Sequence, residues 1–118
     1  GDHGTTYGGN PFVGAAVSAV FDQFKACDIL GHVKEVAPYL EQKLDALVEK
    51  YDFLVTRRGK GLMQGIQVTK PLSEITTGAL KEGLLIIGAG SDVIRFVPPL
   101  IIENEQVDEM IRILKKVL

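Results

Sequence analysis

Two short stretches of the sequence combine residue types with chemistry beyond that of an ordinary surface. The first is Thr5-Thr6-Tyr7-Gly8-Gly9-Asn10-Pro11. A glycine-rich loop that runs into a helix start leaves unpaired N–H groups at the positive end of the helix dipole, and two adjacent threonines add hydroxyl donors. That arrangement suits a phosphate, and the same residues equally make a capped turn without a ligand. The lysine and spacing of a triphosphate-binding loop are missing, which argues against a nucleotide triphosphate.

The second is Arg95, in the run Val93-Ile94-Arg95-Phe96-Val97. Alternation along a strand sends Val93, Arg95 and Val97 to one side and Ile94 and Phe96 to the other. A planar guanidinium flanked by apolar residues binds a carboxylate through two parallel N–H bonds, or else makes a structural ion pair. A third stretch, Arg57-Arg58-Gly59-Lys60-Gly61, offers an anion patch, but a charge run of this kind reads more readily as a solvated turn. Its glycines do not form a dinucleotide fingerprint, because a strand follows where a helix is required. His3 and His32 have no companions at metal-ligand spacing, so no metal site is expected. Cys27 reads as a small core residue with no base beside it. Asp2, His3 and Thr5 are neighbours in sequence, which is not the geometry of a catalytic triad.

The elements that must position these groups follow from periodicity and caps. Asn10 is a good N-cap and Pro11 suits the first helical position, so a helix is expected through Ala26. Its composition is apolar nearly all round, the pattern of a helix buried on most sides. After a break at Asp28 and Gly31, apolar residues from Val33 to Val48 recur every three or four positions and predict an amphipathic helix over about 32–51. Pro38 inside it predicts a kink or a short preceding turn. The period then changes to that of strands at Phe53–Thr56 and Gly61–Thr69, with Arg57–Lys60 as the turn between them. A helix is expected over 73–82 and ends at Gly83. Leu84–Ile87 and Val93–Val97 read as strands, and Pro98-Pro99 ends their pairing. A last helix over 104–117 has Asn104 as its cap and faces Val107, Met110, Ile111, Leu114 and Val117 inward. The expected class is α/β (α+β), with helices packed on a small, mainly antiparallel sheet.

Composition narrows the functional classes. The chain has 118 residues, 46% of them hydrophobic and 24% charged, which is the profile of one globular domain's worth of polypeptide. A net charge of −2 argues against nucleic-acid binding, and no stretch approaches a membrane span. One cysteine cannot close an internal disulfide and fits a reducing, cytoplasmic setting. The chain opens at Gly1, without an initiator methionine and inside a loop-like segment, and is read as a piece of a longer protein or a processed product.

Three blocks, GDHGTTYGGNP, GKGLMQGIQV and GLLIIGAGSDVIRFVPPLIIENEQVDE, in this order and at these separations, resemble the C-terminal part of a class III pyridoxal-phosphate aminotransferase. The likeness is nearest to the members that use acetylornithine, with ornithine-using members close by. It implies a fold-type I enzyme assembled as a homodimer, with residues 1–30 as the end of the large cofactor domain and its connecting helix, and 31–118 as the C-terminal small domain. It further implies that Thr6, with Thr5, holds the phosphate of pyridoxal 5'-phosphate in the partner subunit's active site. Arg95 would hold the α-carboxylate of an amino-acid substrate, with 2-oxoglutarate as the amino acceptor. The family's cofactor-carrying lysine matches no lysine here, so no catalytic residue is expected in this segment and the isolated chain is expected to be inert. Tyr7 and Phe12 depart from the acetylornithine pattern, and an ornithine or other ω-amino-acid specificity is the alternative. A non-catalytic α/β interaction module is the other reading.

Overall fold

The structure, a computed structural model, describes residues 3–118; Gly1 and Asp2 lie outside it. The chain divides into two compact units, one up to Gly31 and the other His32–Leu118.

In the first unit, helix α1 (Pro11–Ala26) begins as expected. Asn10 Oδ1 accepts from the Val13 amide at 3.0 Å, and Pro11 sits where its missing N–H costs nothing. Within these 118 residues no residue of α1 is buried, and Phe12 and Phe21 are among the most exposed large side chains, so nothing in this chain supplies the cover that so apolar a helix calls for. Cys27 is likewise exposed rather than a core residue, because it caps a helix that has no buried side. Its thiol donates to Gln23 Oε1 at 3.6 Å. Asp28, with φ of 42°, then redirects the chain and accepts from the Gly31 amide, so helix α2 (Ile29–Lys50) starts three residues before the periodicity indicates. Gly31 is a helical residue, not a breaker.

The second unit is built on a four-stranded antiparallel sheet with strand order β1-β2-β4-β3. Strands β1 (Leu54–Lys60) and β2 (Met63–Val68) form a hairpin closed by Gly61 and Leu62, where Gly61 takes a φ of 58°. Arg57–Lys60, expected as a turn, is therefore strand, and the turn lies one step later. Helix α3 (Leu72–Lys81) ends before Gly83, which has a φ of 85°. Strands β3 (Ile87–Ala89) and β4 (Val93–Phe96) follow, so Leu84–Ile86 precede the strand rather than form it. Helix α4 (Asn104–Val117) spans the expected residues, but Asn104 is its first helical residue and Glu103 its N-cap, the Glu103 amide donating to Gln106 Oε1 at 2.7 Å.

One face of the sheet carries the core. Leu40, Leu44 and Leu47 of α2 join Ile75 and Ala79 of α3, Val107, Ile111 and Leu114 of α4, and Ile66, Ile94 and Phe96 of the sheet in a single buried cluster. Helix α2 runs unbroken through Pro38, because Pro38 and Lys34 are both exposed and water can serve the carbonyl that loses its partner. Outer pairs knit the helices: Asp108 accepts from Tyr39 and from Lys43, which holds its carboxyl below the usual carboxylate range.

Candidate functional site

Register decides which side chains share the face opposite the core. Arg58 pairs with Gly65, Gly65 with Arg95, and Arg95 with Ile87, so these four residues form one row across the sheet and point the same way. Lys60, two residues from Arg58, lies on that face as well. Arg58, Lys60 and Arg95 are exposed, whereas Ile94 and Phe96 beside Arg95 are buried, as the alternation predicts. Together with Met63, Gly65 and Val93, the three cations border a depression of about 480 Å³. A second hollow of about 430 Å³, lined by Ile87, Val97, Pro98 and neighbouring apolar residues, touches the other side of Arg95. The guanidinium thus stands between a cationic and an apolar region.

Among the described residues, neither Arg58 nor Arg95 makes an ion pair or a side-chain hydrogen bond to a carboxylate. The structural ion pair considered for Arg95 is not formed. Arg57 shows what such a pair looks like here. Its Nε and Nη2 donate to the two oxygens of Asp45 at 2.6 and 3.0 Å, and its Nη1 donates to Gln64 Oε1 at 2.8 Å. The Asp45 bond and the nearby Glu41 raise its already high pKa further. Gln64, 1% exposed, completes the network by donating to Glu41 and to the Gly61 carbonyl. The turn expected at Arg57-Arg58 thus resolves into a strand that sends one arginine inward to a fixed partner and the next outward to none among the described residues. Sequence reasoning undervalued Arg58 for this reason; the signal that finds it is the pairing register with β2 and β4.

The threonine loop belongs to the first unit. Thr5 Oγ1 accepts from the Gly8 amide at 3.1 Å and keeps its own proton to donate. Asn10 Nδ2 donates to the Tyr7 carbonyl at 2.6 Å. With the Gly8 and Val13 amides occupied locally, Thr6 is the exposed hydroxyl left without a partner among the described residues. His32 Nε2 lies 2.9 Å from the Ile102 carbonyl oxygen, and no group of three metal-binding side chains occurs among the described residues. No described helix is long and apolar enough to cross a membrane.

The family described as aminotransferase class-III matches residues 1–118, and the chain belongs to that family. Similar proteins include the acetylornithine aminotransferase of Gloeobacter violaceus, 44% identical over 99% of this chain, and the mitochondrial acetylornithine aminotransferase of Yarrowia lipolytica, 40% identical over 100% of this chain. The chain spans about 30% of the length of these curated relatives. Among solved structures, acetylornithine aminotransferase from Elizabethkingia anophelis superposes with a TM-score of 0.87 at 29% identity, covering 99% of this chain and 30% of that one. Ornithine δ-aminotransferase from Plasmodium falciparum also gives 0.87, at 27% identity, covering 99% and 31%.

Proposed function

We propose that this chain is the C-terminal part of a pyridoxal-phosphate-dependent aminotransferase, to which it contributes two grips rather than the reacting amine. Arg95 binds the carboxylate of the amino-acid substrate through its planar fork. Thr6, supported by Thr5, donates to a phosphate oxygen of the cofactor. The loop fits that phosphate, since Thr6 is exposed and unengaged while Thr5 is held against Gly8. Pyridoxal phosphate, when bound, supplies the electron-accepting ring on which an amino group is exchanged. The residues of this chain orient the substrate toward it, a positioning role of the kind that contributes strongly to rate.

The names of its relatives support N-acetylornithine as amino donor, with the δ-amino group passing to 2-oxoglutarate and the reaction serving arginine biosynthesis. The complete protein would act as a cytoplasmic homodimer, with 1–30 completing the large domain and 31–118 forming the small one. Ornithine is the second donor to consider, supported by the ornithine δ-aminotransferase among the structural neighbours. None of the lysines here matches the family's cofactor-carrying lysine, so the 118 residues alone are inert in this reading.

The observation that carries the proposal is Arg95: exposed on a strand between two hollows and free of any carboxylate partner among the described residues. In the complete protein, Arg95→Lys should raise KM for both the amino donor and the acceptor by about tenfold or more, because a point charge loses the two-pronged contact. An unchanged KM for both substrates would refute the assignment.

A further inference from the structure

We propose that His32 is a positioning residue for Arg95, acting through the turn that walls the apolar side of its guanidinium; the inference rests on the carboxylate reading of Arg95. His32 lies near the start of α2, and its Nε2 is 2.9 Å from the Ile102 carbonyl oxygen, 70 residues further along the chain. A carbonyl oxygen only accepts, so Nε2 carries the proton and donates. Ile102 closes a short turn, its amide donating to the Pro99 carbonyl at 3.1 Å. Pro98 and Pro99 have no N–H to give. Among the described residues, the His32 bond is therefore the one hydrogen bond that ties 98–102 to another element.

This turn is a wall of the second hollow: Pro98, Pro99 and Ile102 line it together with Val97 and Arg95. Phe96, 3% exposed, is fixed in the core on one side of the turn, and Glu103 is fixed as the cap of α4 on the other. Between these anchors Leu100 and Ile101 are exposed and contribute little packing. The Ile102 side chain packs on the core cluster, and the His32 bond fixes the orientation of its peptide, which packing alone leaves free. Without the donor, that carbonyl turns to water and the wall moves away from Arg95. A guanidinium with a firm wall beside it has fewer conformations to lose when it grips a carboxylate, so the wall contributes to binding without touching the ligand.

The test uses the complete holoenzyme and reads KM and kcat for amino donor and acceptor. His32→Leu removes the donor and should raise KM for both about threefold or more while leaving kcat within about twofold. His32→Gln places an amide N–H about as far from the backbone as Nε2 and should return both KM values to within about twofold of the unsubstituted protein. In an Arg95→Ala background, His32→Leu should add less than about a further twofold, since its effect passes through the guanidinium. Should His32→Leu not fold, His32→Asn takes its place: its shorter amide falls short of the carbonyl, and the same rise is expected. The inference is overturned if neither KM moves, if His32→Gln rises as far as His32→Leu, or if the substitutions at His32 and Arg95 add in full. Arg95→Ala alone should raise both KM values. If it raises neither, the carboxylate reading of Arg95 has failed; if it raises both while the His32 variants raise neither, only the positioning role is lost.

Discussion

At the scale of single residues, the neighbouring arginines on β1 show how one position along a strand sets a side chain's task. Arg57 faces the core side and is bound by a carboxylate and a buried amide; Arg58 faces away and keeps its donors. The same logic separates the threonines. Thr5 stabilises its own turn, while Thr6 presents an exposed hydroxyl with no partner among the described residues. If Thr6 reaches the cofactor phosphate, Thr6→Ala should weaken pyridoxal-phosphate retention in the complete protein by about 1–3 kcal/mol, the worth of a hydrogen bond to a charged group. Absorbance of cofactor released on dilution measures this directly, and equal retention in both proteins would contradict the role.

At the scale of elements, the β1–β2 hairpin aligns the arginine row, and Gly59 is its tightest point. A Cβ there would collide with the Met63 carbonyl oxygen and crowd the Gln64 side chain, so the two strands can approach only because the residue is glycine. Gly59→Ala should therefore destabilise the fold by about 1–3 kcal/mol, the usual range for overpacking. A urea-unfolding midpoint that does not fall would show that the hairpin relaxes without cost. This hairpin is also where local sequence misleads. Arg-Arg-Gly-Lys has the composition of a turn, and only pairing with β2, a non-local fact, makes it strand. Helix α4 is the opposite case: its apolar residues recur at helical spacing over the whole span, so Val107, Met110, Ile111 and Leu114 could be placed in the core from sequence alone. Helix α1 was legible in its cap and extent but not in its surroundings. Apolar composition signals that a face can be buried, and its residues are nevertheless exposed here.

At the scale of the whole molecule, the class of fold followed from the alternation of helical and strand periods, and the sheet is antiparallel as expected. The family followed from three ordered blocks, and it is the family the comparisons support. Arg95 could be singled out because alternation fixes a side chain's face within a strand. Arg58 could not, because its face is fixed only by register to two other strands. Arg58 and Arg95 lie on the sheet face opposite the one that carries the buried cluster. Arg95 on this face is the residue proposed to hold substrate carboxylate. The most direct measurement is a crystal structure of the complete protein with glutamate bound. The account predicts a glutamate carboxylate accepting two N–H bonds from Arg95 at about 2.7–2.9 Å. Glutamate held elsewhere, with Arg95 paired to a protein carboxylate, would contradict it.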